Sequence, residues 1–244
     1  EGTTVNAEVE WDFPAFEAVI RHAVRRKADL IVAERHAKKH IAPWVLRFND
    51  WELLRRCPVP VLLVKSAQPY DKPVVLAAVD PAHSFAKPAK LDAGIVGMAT
   101  QVAGSLQGTA HAAHAFVPAT IDVDKLDLNL PNLSAWIEAE AAKHAKAAFD
   151  KELARSDIPA SQRHLVGRHA VDAIPGLAKE LKAQVVVMGA ISRTGIKRLL
   201  IGDTAERILD ALPCDVLVMK PAHFRARVPK ARRGVQFIAT PMST

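Results

Sequence analysis

The residues with the clearest chemical potential form one run: Met188-Gly189-Ala190-Ile191-Ser192-Arg193-Thr194-Gly195-Ile196-Lys197-Arg198-Leu199-Leu200-Ile201-Gly202-Asp203-Thr204-Ala205-Glu206-Arg207-Ile208. A glycine closes an apolar run, a loop follows, and Gly202-Asp203-Thr204 opens a helical pattern. Glycine lets backbone come close to a ligand, and the unbonded N–H groups of a helix N-terminus attract phosphate. Arg193, Lys197 and Arg198 add positive charge. Asp203 argues the other way. A carboxylate a few ångströms from a phosphate costs on the order of 1–4 kcal/mol near a surface, although aspartate is a favoured helix N-cap.

Other candidates read as structural. His111 and His114 are three apart on a strand pattern, face opposite sides and do not share a metal. His36 and His40 share a helical face, but Lys38 and Lys39 beside them disfavour a cation. Cys57 and Cys214 read as buried free thiols rather than a redox pair. Trp44 and Trp51 read as packing residues. There is no Gly-x-Ser-x-Gly elbow and no Gly-x4-Gly-Lys-Ser/Thr loop, so hydrolase-type nucleophile and P-loop ATPase lack support. No catalytic residue and no metal ligand is assigned.

The elements that position the loop are read from an internal repeat. Residues 5–65 lie over 160–220 at a constant offset of 155, without gaps. Ala28-Asp29-Leu30-Ile31-Val32 falls on Ala183-Gln184-Val185-Val186-Val187, Pro58 on Pro213, and Val61-Leu62-Leu63-Val64-Lys65 on Val216-Leu217-Val218-Met219-Lys220. Each copy reads helix, strand, loop, helix, strand, and unalternating apolar strands suit a parallel sheet covered on both faces. The second copy is preceded by a strand at 74–79, a helix at 89–106, a strand at 111–117 and a helix at 134–155 with Ser134 as its N-cap. A strand at 164–166 follows, then a helix at 171–183 with Pro175 in its first turn, a strand at 184–188, a helix at 203–212 and a strand at 215–220. This β-α-β-α-β-α-β-α-β order defines a complete doubly wound, Rossmann-like α/β domain, with the glycine loop at the carboxyl end of a parallel strand. The fold class is therefore α/β, with tandem parallel-sheet domains of which the first is incomplete.

The run from Met188 resembles the universal stress protein family. Its nucleotide-binding members carry Gly-x-x-Gly-x9-Gly-Ser/Thr here, and Pro213-Cys214-Asp215-Val216-Leu217-Val218-Met219-Lys220-Pro221 is also in register. The resemblance covers nearly the whole chain and points to the tandem-domain branch. It implies that Asp80 bonds the adenine side of a nucleotide, that Ala115 contributes backbone at the base, and that Gly189 and Gly202 are motif glycines. Ser192 stands where the second glycine belongs, and Asp203, followed by Thr204, where a phosphate-binding hydroxyl belongs. Ser192 disfavours the left-handed geometry a glycine permits. In the first copy Glu34, Ala37, Arg47 and Phe48 occupy the four anchor positions, so no nucleotide site is expected there. The family's dimers pair last strands, which implies an intramolecular pseudo-dimer joining 59–65 to 215–220.

These readings give four regions: 1–65, the C-terminal part of a degenerate first domain; 66–73, a linker; 74–221, a complete second domain; and 222–244, a basic tail. The 244 residues carry 33 Lys and Arg against 26 Asp and Glu, a net charge of +7. The excess in the tail reads as solvated faces and a loose end. No aromatics interleave with the charges, so nucleic acid is not the expected partner. No apolar run approaches the roughly 20 residues that cross a bilayer, so no membrane partner is expected. The chain opens Glu1-Gly2-Thr3-Thr4 without a leader pattern, and the expected home is a reducing cytoplasm. A chain truly starting at Glu1 is expected to expose apolar surface, and a longer parent to supply β-α-β-α in roughly 75–85 further residues. The expected function is a stress response through a small ligand or partner, with ATP the candidate cofactor at a degenerate site. Weak ATP hydrolysis is the rival reading, which a restored Gly-x-x-Gly and Gly-Ser would favour.

Overall fold

A computed structural model describes residues 4–10, 12–34, 51–81, 91–117, 133–189 and 203–230. The apolar runs form strands β1 (Ile31–Glu34), β2 (Val61–Val64), β3 (Val74–Val79), β4 (Thr109–Ala115), β5 (Arg163–Val166), β6 (Val185–Gly189) and β7 (Asp215–Met219). The helices are α1 (Ala15–Arg26), α2 (residues 51–56), α3 (Leu91–Ser105), α4 (Leu133–Glu152), α5 (Ala170–Glu180) and α6 (Asp203–Ala211). Among the described residues the strands make one sheet in the order β1-β2-β7-β6-β3-β4-β5. The order β7-β6-β3-β4-β5 is that of one doubly wound unit, with β3 at the start of both arms.

Neighbouring strands are parallel except β2 and β7. These two run antiparallel, with Val61 opposite Val218, Leu62 opposite Leu217 and Leu63 opposite Val216. The ladder expected between 59–65 and 215–220 is therefore present, between the second and third strands of the sheet.

Apolar spacing dictates which face each helix buries. In α1, Phe16, Ile20 and Ala23 recur at helical intervals and are buried. Phe16 and Ile20 join Leu54, Ile174, Leu177 and Leu209 from α2, α5 and α6 in one core. Leu91, Ile95 and Ala99 of α3 and Phe149 of α4 form the second, against Val75, Ala77 and Val187. Val75 and Leu76 fall in different cores, as alternate strand residues must.

The repeat extends to the helix ends. After α1, Lys27 is left-handed at φ 52°, and Ala28 donates its N–H to the Ala23 carbonyl at 2.9 Å. After α5, Lys182 is left-handed at φ 51°, and Ala183 donates to Ala178 at 2.8 Å. Left-handed closure satisfies the last helical carbonyls. The environments diverge at the edge, where Val32 is 61% exposed and its repeat equivalent Val187 is fully buried.

Three expectations need correction. Pro175 is the sixth residue of α5, past its first turn, because the helix starts at Ala170 with the His169 carbonyl accepting from Asp172 and Ala173. The missing N–H is offset by burial of Ile174, Leu177 and Ala178. Ser134 lies one position inside α4, since Leu133 already belongs to the helix, and so is not its N-cap. The tail is not loose between residues 221 and 230. Ala226 and Val228 interrupt the basic run and pack against the core, Arg21 Nη1 donates to the Pro229 carbonyl at 3.0 Å, and Arg227 N–H donates to the Arg56 carbonyl at 3.4 Å.

The segment after β2 is anchored in the opposite direction. Asp215, 1% exposed, accepts N–H bonds from Lys65 at 2.7 Å and Ser66 at 3.0 Å, and also the Tyr70 hydroxyl. Lys65 Nζ donates to the carbonyls of Leu209 at 2.6 Å and Leu212 at 2.9 Å, closing the end of α6. Each repeat's C-terminal extension is thus held by the other repeat.

Candidate functional site

The strand order fixes where a ligand crevice can open. From β3 the chain moves to β4 and β5 on one side and crosses to β6 and β7 on the other, so the switch point lies between β3 and β6. Asp80 directly follows β3 and Gly189 ends β6, and the two strands are bonded with Ala78 opposite Met188. Ala115 ends the adjacent β4. The structure therefore brings Asp80, Ala115 and Gly189 to one sheet edge. Ser192 and Gly202 lie outside the described residues. Asp203 and Thr204 begin α6, and only their backbone is described.

Asp80 is held from both sides. Its N–H donates to Asp92 Oδ1 at 3.3 Å, linking the end of β3 to the first turn of α3. His114 Nδ1, from β4, lies 4.0 Å from Asp80 Oδ1 and donates to the Val79 carbonyl at 3.3 Å. His114 is 1% exposed and Asp92 7%, whereas the Asp80 side chain is 33% exposed. Buried polar groups thus set the acid that faces the crevice. Asp92 was not singled out in the sequence, although an acid in the first turn of a helix otherwise rich in small apolar residues was the available signal. The sequence marks His114 only as structural; its ring lies 6.0 Å from that of Phe149, on α4.

Gly189 also has a packing role. No described glycine has a positive φ, and a Cβ at Gly189 would come within 2.8 Å of Leu91 Cδ2 and 3.3 Å of Ile95 Cδ1. Its bare α-carbon lets the start of α3 settle on the end of β6.

The remaining candidates separate. His111 and His114 occupy opposite faces: His111 Nδ1 meets His164 Nε2 at 2.9 Å across β4 and β5. Cys57 and Cys214 are buried free thiols, and burial pushes each up to about 11. Trp51 packs against the core. Trp44, His36 and His40 lie outside the described residues. Among the described residues there is no cluster of three metal-ligating side chains, and no helix is long and apolar enough to cross a membrane.

A doubly wound parallel sheet with an acid and a glycine on either side of its switch point belongs to the Rossmann-like α/β class. The description of the universal stress protein family matches residues 1–65 and 73–220, and this chain belongs to that family. It is 30% identical over 235 residues to Universal stress protein E of Escherichia coli, covering 93% of this chain and 72% of the relative. It is 26% identical over 234 residues to the protein of that name from Photorhabdus laumondii, covering 95% and 74%. A solved structure of a putative universal stress protein from Pseudomonas aeruginosa superposes with a TM-score of 0.70 at 33% identity, over 88% of this chain and 71% of that one.

Proposed function

We propose that this chain is a cytoplasmic stress-response protein that binds a small ligand at the crevice between β3 and β6, where its second repeat keeps a degenerate nucleotide site. The observation that carries this reading is the convergence of Asp80, braced by Asp92 and His114, with Gly189 at the carboxyl ends of adjacent strands. Asp80 supplies a carboxylate for a base or other hydrogen-bond donor. Asp203 and Ser192 work against a triphosphate, and the motif supplies no nucleophile for hydrolysis. The two free thiols support a reducing compartment. We read residues 1–65 and 74–221 as tandem domains joined by 66–73 and followed by the tail 222–244. The β2–β7 ladder supports an intramolecular pseudo-dimer.

Calorimetric titration with ATP and magnesium tests the reading. The expected result is weak or undetectable binding, with affinity improved about tenfold or more in the Ser192→Gly, Asp203→Ser double variant. A low-micromolar dissociation constant for the unmodified chain overturns it.

A further inference from the structure

β5 is a four-residue strand at one end of the sheet, and among the described residues it pairs with β4 alone. The register sets Ala113 opposite His164 and Ala115 opposite Val166, so His111 and His164 lie on one face of the sheet. There His111 Nδ1 and His164 Nε2 stand 2.9 Å apart, with ring centres at 5.3 Å and planes 10° apart. The centres are so much farther apart than the nitrogens that the rings meet end to end, along the line of one N–H···N bond.

Such a bond holds one proton between two nitrogens. One added proton still leaves a donor facing an acceptor; a second leaves two donors and two cations facing each other across the ladder, where like charges push strands apart. Burial opposes charge on either ring and lowers both pKa values from 6.5. His164 lowers that of His111 further, and Glu180 of α5 partly offsets the shift at His164. The elements around the pair carry these other groups. β3 sets apolar Leu76 opposite His111, and His114 of β4 lies on the opposite face. Arg163 of β5 is turned to the carbonyls of Ile158 at 2.9 Å and Leu153 at 3.3 Å. α5 carries Asp172 and Lys179 besides Glu180, and Lys182 follows it.

We propose that the His111–His164 pair is an acid-triggered latch: a shared proton ties the edge strand β5 to β4, and full protonation of both rings turns the tie into a repulsion that releases β5 while the rest of the sheet stays folded. The latch reaches the crevice through one bond. Phe116, next after β4, donates its N–H to the Val166 carbonyl at 3.0 Å, so release of β5 frees the chain just beyond Ala115. It acts whatever ligand the crevice takes, and its failure leaves the ligand reading untouched.

The test is amide hydrogen exchange followed by NMR on the full chain, with rates corrected for the intrinsic effect of pH. Between about pH 7.5 and about pH 5, the β5 amides bonded to β4 should lose protection at least about tenfold, since each proton taken up on opening is worth up to about tenfold per pH unit. The β3 and β6 amides should keep theirs. His164→Gln and His111→Gln each remove one of the two facing charges, and each should shrink the loss in β5 at least about threefold. Nitrogen-15 spectra of the unaltered chain should show one of the two facing nitrogens protonated at neutral pH, and both once β5 has opened. Protection of β5 that does not change with pH, a loss shared equally by β3 and β6, or a loss unaltered in both variants would overturn the proposal.

Discussion

Leu62 and Leu217 face each other at the middle of the antiparallel ladder that joins β2 to β7. Leu217 is 2% exposed and packs into the core beneath α3 and α4. Leu217→Ala should therefore cost about 2–5 kcal/mol. Because the ladder joins both repeats, the loss should appear in a single urea transition that removes β2 and β7 protection from hydrogen exchange together. Two separated transitions, or a loss below about 1 kcal/mol, would contradict it.

Asp215→Ala should release the segment after β2. It removes the acceptor for Lys65, Ser66 and Tyr70, and leaving buried donors without that acceptor costs about 1–3 kcal/mol. Limited proteolysis should then cut within 66–73. Tyr70 is the chain's one tyrosine, and burial followed by Asp215 holds it well above the usual tyrosine range. Phenolate absorbance should be missing near pH 11 in the folded protein and appear there in the variant. The thiols of Cys57 and Cys214 are likewise raised by burial, from 9.0 to about 11. For all three groups the folded state holds its proton longer than the unfolded one. Their contribution should thus be full below about pH 9 and fall as pH rises towards 11 and beyond, against Lys220, whose burial lowers its pKa from 10.5 to about 8 and adds stability over that window. A urea midpoint that does not decline above pH 10.5, past the lysine's window, would refute this.

The His111–His164 pair sets the acid limb. The ring centres are 5.3 Å apart, the planes differ by 10°, and the facing nitrogens are 2.9 Å apart, so a single proton joins the two rings. Burial lowers both pKa values from 6.5; His164 lowers that of His111 further, and Glu180 partly offsets the shift at His164. The unfolded chain takes up these protons first, so the contribution is present above about pH 6.5 and is lost as pH falls. Denaturant midpoints should decline between about pH 7 and 5, and His164→Gln should flatten that decline. An equal decline in the variant would show that other groups govern it.

The architecture could be read in the sequence because periodicity and the repeat are local properties. Strands and helices came out close to their observed ranges, and aligning Lys27 with Lys182 even anticipates two matching helix closures. What could not be read depends on contacts between distant segments. Asp215 gives no local sign that it will hold Tyr70. Basic composition suggested a loose tail, because Ala226 and Val228 reveal their burial only once α1 and α2 are in place. Pro175 pointed to a helix start because propensity weighs a missing N–H without the packing that offsets it. At the crevice, Asp80 and Gly189 were placed by motif, whereas the Asp92 and His114 braces emerge only when β3, α3 and β4 are brought together.

The crossed extensions also decide how mechanical load passes through the molecule. Arg21 of α1 grips the Pro229 carbonyl, and Arg56 of α2 takes the Arg227 N–H. A pull applied beyond residue 230 is therefore shared with two helices of the first repeat before it reaches β7. A pull on the segment after β2 meets Asp215 in the second repeat before it can part β2 from β7. Each repeat anchors the other's exit, so tension at either point loads both halves at once, and a tether at the tail would grip the molecule as one rigid body rather than peel off its last strand.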